Sequence, residues 1–244
     1  MRVKLRHLNR FFLNRIGLNI EKIEKSASLV GLLRRMRSEN LKFDLIFDVG
    51  AYNGKWSAEV RKFFPSSKFL LFEPNTCHNS SIEALGFTPN NLLLGSNSGT
   101  TVEFYSAGNT GDSFFKEKNP VYNTIPPLKM QLTSLEDFID DNQLTPPDFL
   151  KLDTQGSELD ILKGIGPYLD DVTLILVELP ISGMNIGAPS LSDVSNFLES
   201  NNFVPYHLTE VHYLIDILVQ VDIAFLNRRK FMEIHEHDDI YHRA

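Results

Sequence analysis

Four acidic residues stand at or beside the ends of short apolar runs. Asp48 follows Leu45-Ile-Phe47, Glu73 follows Phe69-Leu-Leu-Phe72, Asp153 follows Phe149-Leu-Lys-Leu152, and Glu178 follows Leu174-Ile-Leu-Val177. Burying an acid without a partner is costly, so one such residue needs a reason and four need a common one. In an open parallel sheet the strands end at the crevice where ligands bind, and a shared cleft there accounts for all four.

The first acid opens the most informative stretch, Asp48-Val-Gly50-Ala51-Tyr52-Asn53-Gly54. A strand that breaks into a glycine turn and then starts a helix is the first unit of a nucleotide-type fold. Glycines permit close approach and positive φ, and a helix start offers free N–H groups to an anion. Glu73 lies 23 residues after Gly50, where an acid in such folds accepts from ribose hydroxyls. A dinucleotide fingerprint would need glycine at positions that hold Tyr52 and Lys55. A triphosphate loop fails too, because its lysine is one residue out of register and Trp56 replaces the magnesium-binding hydroxyl. A nucleoside without a pyrophosphate fits better, and S-adenosyl-L-methionine is the expected ligand. Asp48 is expected to hold its ammonium, and the turn amides of Gly50 to Gly54 its carboxylate. Glu73, with Pro74 beside it, takes the ribose, and Ser96 in the Gly95-Ser96 turn borders the adenine.

The motifs Asp48-Val-Gly-Ala-x-x-Gly54, Phe72-Glu-Pro74 and Phe149-Leu-Lys-Leu-Asp153-Thr-Gln-Gly156-Ser-Glu158-Leu-Asp-Ile-Leu-Lys-Gly164 together resemble the FkbM-type methyltransferases. Leu176-Val-Glu178 and Val219-Gln-Val-Asp222 resemble the same family, and the likeness runs from about Leu45 to Leu226. The family commonly has Asn where this chain has Tyr52, and often Asp where it has Ser96. The resemblance implies a class I S-adenosylmethionine-dependent fold and O-methylation of a hydroxyl on a sugar, glycolipid or other natural product. Methyl transfer to a hydroxyl needs a positioned acceptor and gains from a base. Asp153, Glu178 and His212 are the candidates for that base, with Gln155 and Glu158 assigned to the acceptor. Asp153, Glu158 and Glu178 are also oxygen donors of the kind that hard cations take. The segment His235-Glu-His-Asp-Asp239 has metal-ligand residue types in a polar tail. No metal site is assigned to either.

The elements that must position these residues alternate along the chain. Strands are expected at 45–49, 68–72, 91–94, 101–105, 130–132, 149–152 and 172–177, the last being the most apolar and so the most central. Helices are expected at 55–64, 75–85, from a Thr133/Glu136 capping box through Ile139, at 158–163 ended by Gly164, and from Ser190/Asp193 to about Ser200. Runs at 203–208 and 218–226 close the sheet as an antiparallel pair, with His212 in the loop between them. The aperiodic stretch 106–127 reads as a loop over a ligand. The fold class is therefore α/β: a mostly parallel Rossmann-like sheet with an antiparallel closing strand, helices on both faces, and a helical N-terminal extension.

Three regions follow: a basic amphipathic extension at 1–42, the cofactor-binding domain at 43–227, and a polar tail at 228–244. Residues 1–37 carry ten Lys/Arg and two acids, although the whole chain has a formal net charge of −7. The acidic remainder disfavours nucleic acid as a partner. Apolar residues at helical spacing (Leu5, Leu8, Phe11, Phe12, Ile16, then Leu29, Leu32, Leu33, Met36) suit packing on the core. The basic face between them suits an anionic membrane surface or a second subunit. One cysteine, Cys77, excludes an internal disulfide framework, and no apolar run reaches the ~20 residues of a membrane span. The basic start lacks the apolar core of a signal peptide, so a cytoplasmic protein is expected, with peripheral membrane contact through 1–42 as the variant. A non-catalytic nucleoside-binding protein that recruits a partner through that basic segment is the alternative to the enzyme.

Overall fold

The computed structural model describes residues 27–235. The first amphipathic segment, Leu5 to Ile16, and the tail beyond His235 lie outside the described residues. Helix α1 (Leu29–Ser38) starts where the Ser28 hydroxyl accepts from the Gly31 amide at 3.0 Å. Its apolar stripe of Leu32, Leu33 and Met36 is fully buried against Ile46, Phe149, Leu174 and Ala224. This part of the extension therefore belongs to the core. Arg35 stacks over Tyr206 at 4.1 Å and pairs with Glu39 at 3.0 Å, which fastens the helix to the last strands.

The main sheet has seven strands in the order β3-β2-β1-β7-β8-β10-β9. They are β1 (Leu45–Val49), β2 (Lys68–Phe72), β3 (Pro89–Asn90), β7 (Phe149–Leu152), β8 (Leu174–Pro180), β9 (Phe203–Leu214) and β10 (Ile217–Asn227). All pairs from β3 to β8 are parallel, and β10 is antiparallel to both its neighbours. Alternate strand residues serve opposite faces. Phe47, Leu150 and Ile175 pack with α4 (Leu135–Asp141), α5 (Glu158–Gly164) and α6 (Leu191–Ser200). Ile46, Phe149 and Leu174 pack on the other face with α1, α2 (Lys55–Arg61) and α7 (Arg228–His235). Strand order reverses between β1 and β7, so the crevice opens at their carboxyl ends.

Several expected elements are redrawn. The strand expected at 91–94 shrinks to β4 (Leu93–Leu94), which joins a second sheet of order β4-β6-β5, while the preceding residues of β3 extend the main sheet. That sheet takes β5 (Thr101–Phe104) and β6 (Leu128–Thr133) antiparallel to each other. The helix expected at 75–85 is a 3-10 turn, Thr76–His78, leading into α3 (Asn79–Ala84). Thr133 ends β6, and Ser134 caps α4 by accepting from Asp137 N at 3.1 Å, one residue later than the capping box expected at Thr133. Gly164 lies inside α5, where a Cβ would meet Gly95 O at 2.1 Å, so its smallness serves packing rather than a cap. β8 is an interior strand, but β7 holds the middle of the sheet. The closing hairpin is longer than expected, and His212 sits within β9 instead of in a loop.

Candidate active site

The carboxyl ends of β1, β2, β7 and β8 open into one cleft of about 570 Å³. That size falls in the range of about 300–1,000 Å³ usual for small-molecule sites. The small second sheet supplies a wall through Leu94 and Phe104, and the long 106–127 loop supplies Asn109 to Phe114, as expected of a covering loop. Asp112 folds that loop by accepting from Ser106 Oγ at 2.7 Å, Ala107 N at 2.7 Å and Asn75 Nδ2 at 2.9 Å. The loop is tied to the 181–189 segment by Lys118 N donating to Met184 O and Ile186 N donating to Lys116 O, at 2.9 and 2.8 Å.

Glu73 is 6% exposed and lines the cleft. It accepts from the Tyr52 amide at 2.8 Å and the Asn75 amide at 2.9 Å. Burial pushes its pKa up to about 7, and these two hydrogen bonds oppose the rise only in part. Two bonds leave carboxylate lone pairs for a ligand.

The glycine turn differs from expectation. Gly50 has φ +74°, and a Cβ there would stand 1.8 Å from Asp153 O. It is glycine because β1 and β7 converge there. The amides of Gly50 and Ala51 both donate to Phe72 O, that of Tyr52 goes to Glu73, and that of Gly54 to Ala51 O. These amides are spent within the protein and do not form the expected cradle for a carboxylate. Gly50, Ala51, Tyr52 and Asn53 line the cleft, as does Pro74. Gly54, at φ +73°, instead caps α2. Tyr52 holds φ 47°, a left-handed conformation, with its ring 4.4 Å from that of His78.

Asp48 does not reach the cleft. It is fully buried, accepts from Ser57 Oγ at 2.6 Å, and lies 3.2 Å from Lys151 Nζ. Lys151 also pairs with Asp153 at 3.2 Å. Burial alone would lower the lysine pKa, but Asp153 and Asp48 outweigh it and hold the residue protonated above the ordinary lysine value. Asp48 thus positions a buried cation and is not placed to meet an ammonium group. Ser96 is likewise off the cleft, packed where α5 crosses at Gly164, and Leu92, Leu93 and Leu94 take its place along the wall.

Asp153, Gln155, Glu178 and His212 do come together on the cleft. Gln155, at φ 57°, donates to Glu178, and Gln220 donates to Gln155 Oε1 at 3.3 Å. Burial first, then Asp153 and Asp222, push the Glu178 carboxyl well above the usual range. Glu158 is absent from the main cleft. It braces the turn beneath by accepting from Thr154 N at 2.8 Å and Gly156 N at 2.9 Å. That position explains an acid in the first turn of α5 without any contact to an acceptor.

Residues 48–205 match the family described as the methyltransferase FkbM domain. The chain belongs to the FkbM methyltransferase family. The family's methyl donor is S-adenosylmethionine. A crystallised FkbM methyltransferase from Methylobacillus flagellatus KT is 16% identical, with a TM-score of 0.48 over 75% of this chain and 43% of that one. This chain therefore spans less than half the length of that protein. Magnesium protoporphyrin IX methyltransferase from Synechocystis PCC 6803, solved with bound SAM, is 11% identical, with a TM-score of 0.44 over 91% of each chain. TrmK from M. capricolum, solved with S-adenosylhomocysteine, is 11% identical with a TM-score of 0.44, covering 80% of this chain and 67% of that one. No curated protein matches the chain. No helix among the described residues is long and apolar enough to cross a membrane.

In this member of the FkbM family, two residues of the site escape a reading of the sequence alone. Lys151 gave a signal: a lysine inside a strand buried along its whole length must have acidic partners. Asp222, whose pKa is raised to about 6 by burial and by Asp153, approaches His212 Nε2 at 3.3 Å. Only the strand register reveals it.

Proposed function

We propose that the protein transfers a methyl group from S-adenosylmethionine to a hydroxyl of a sugar, glycolipid or other natural product. The observation that carries the reading is the convergence of Glu73 with Asp153, Glu178 and His212 on one cleft. The residues present fit the cofactor. Glu73 is a buried carboxylate with acceptor capacity left over, on a cleft large enough for a nucleoside. Asn53 and Tyr52 provide polar groups at the β1 end, and Leu92 to Leu94 an apolar wall for a base. When bound, S-adenosylmethionine supplies a methyl group made electrophilic by its sulfonium.

The chain's own task is to place and deprotonate the acceptor. Proximity and orientation supply ~7–11 kcal/mol in well-positioned reactions, and a base roughly 10²–10⁴-fold more. Glu178 Oε and the His212 imidazole are the groups proposed to take the hydroxyl proton. Lys151 pairs with Asp153 beside them at 3.2 Å. The 106–127 loop, pinned by Asp112, would keep water out. An acidic lining with Lys151 as its one Lys or Arg among the described residues favours a neutral acceptor over nucleic acid. A lone cysteine supports a reducing, cytoplasmic setting, and the basic 1–37 segment supports a role in contacting a membrane surface or a second copy.

A methyl-transfer assay with labelled S-adenosylmethionine over a glycan and glycolipid fraction tests the reading. Label should appear on a hydroxyl, and Glu178→Gln should abolish it without loss of cofactor binding. Tight cofactor binding with no transfer to any fraction would favour the non-catalytic alternative.

A further inference from the structure

Asp222 of β10 lies directly opposite Glu178 of β8 on one side and Glu210 of β9 on the other. Three carboxylates therefore stand in a row across three neighbouring strands, on one face of the sheet. Like charges directly opposite each other destabilise a sheet. Water screens this row little at its inner end, where Glu178 is 9% exposed and the Asp222 side chain 16%. The nearby cation offsets it only in part, since Lys151 makes its direct ion pairs with Asp48 and Asp153 at 3.2 Å each. His212, two residues after Glu210 and on the same face, points its Nε2 into the row. It reaches 3.3 Å from Asp222 Oδ1 and 3.6 Å from Glu210 Oε2.

The geometry suits a shared ligand. One atom each from Glu178, His212 and Asp222 lies within 4.8 Å of the others. Donors on a common cation at ~2.0–2.3 Å are separated by up to about 4.6 Å, so a few tenths of an ångström of closure suffices. Three strands of one sheet hold the donors in place, and Glu178 and His212 both line the cleft.

We propose that Glu178, His212 and Asp222 form a site for a divalent first-row cation, with open coordination positions directed into the cleft. Two carboxylates and an imidazole suit a first-row transition cation better than Mg²⁺, and Mn²⁺ serves as its paramagnetic probe. Resting on the methyl-transfer reading, a cation there would take over from Glu178 and His212, then its ligands, the task of holding the acceptor oxygen and favouring its ionised form.

The test uses the full chain and Mn²⁺, with free ion followed by electron paramagnetic resonance and S-adenosylhomocysteine binding followed by calorimetry. One Mn²⁺ should bind per chain, with a nitrogen hyperfine coupling from the imidazole. His212→Ala and Asp222→Asn should each weaken it by about tenfold or more while leaving S-adenosylhomocysteine affinity within about twofold. Glu210→Gln, at the rim, should keep the site. A chain that binds S-adenosylhomocysteine but no Mn²⁺ overturns the proposal. Bound Mn²⁺ without nitrogen coupling also overturns it. Mn²⁺ binding without S-adenosylhomocysteine binding would instead sink the methyl-transfer reading and leave the cation site standing.

Discussion

Glu73 and Lys151 show how burial sets the chemistry of single residues here. The carboxyl of Glu73 sits at about 7 because water is excluded, so near neutrality it is only half ionised. Ribose hydroxyls donate better to the charged form. S-adenosylhomocysteine affinity should therefore rise several-fold between pH 6 and pH 8, and calorimetry on Glu73→Gln should show weaker binding that no longer varies with pH. A mutant that keeps both the affinity and the slope would exclude Glu73 from the site. Lys151 bridges the fully buried Asp48 and the cleft-lining Asp153, whose side chain is 35% exposed. Lys151→Met leaves the buried Asp48 uncompensated and should cost about 3–5 kcal/mol. Thermal melting of the mutant should fall by roughly 10 °C. Tyr52 illustrates what its neighbours cannot say in advance. Its left-handed backbone is a conformation that Asn adopts more readily, and a tyrosine accepts it here with its ring against His78.

Among the elements, the turn after β1 and the loop over the cleft carry the function. Gly50→Ala would drive a Cβ into Asp153 O and force a side chain to φ +74°. At least about 2 kcal/mol of stability should be lost, and cofactor binding with it, since β1 and β7 could no longer converge. Denaturant titration checks the first effect and calorimetry the second. Asp112→Ala removes the hydrogen bonds that fold the 106–127 loop. Its expected signature is faster proteolysis within that loop and several-fold weaker S-adenosylhomocysteine binding, with global melting almost unchanged. Unaltered proteolysis would show that the ties to 181–189 suffice alone. Elements with local signals were readable beforehand: β1, β2 and β7 match their apolar runs, and Ser190 with Asp193 does form a capping box at α6. The run at 91–94 was not, because Leu93 and Leu94 join a partner strand, β6, nearly forty residues away in sequence.

At the scale of the whole molecule, the acidic cleft links stability to pH. A carboxyl raised from 4.5 to about 7 by folding favours the protonated, empty protein. Its stabilisation is complete below pH 4.5 and is lost as the pH rises through 7. Glu73 alone should make the ligand-free protein about 1 kcal/mol less stable at pH 8 than at pH 6, and Asp222, raised to about 6, acts in the same direction. Melting curves at the two pH values should show the fall, and Glu73→Gln should reduce it. The chain by itself determined β1, β2 and β7, the fold class and the family, because each depends on residue types close together in sequence. It placed Asp153 and Glu178 near one cleft because strand ends are local signals and parallel order brings them together, whereas His212, expected in a loop, reaches the cleft from within β9. Tertiary structure alone decided that Asp48 is sealed behind Lys151, that Glu158 braces a turn, that Ser96 faces α5, and that Asp222 stands between Glu178 and Glu210. Those outcomes depend on register and on the crossing of distant segments, and an acid's neighbours across a sheet are not written next to it in the chain.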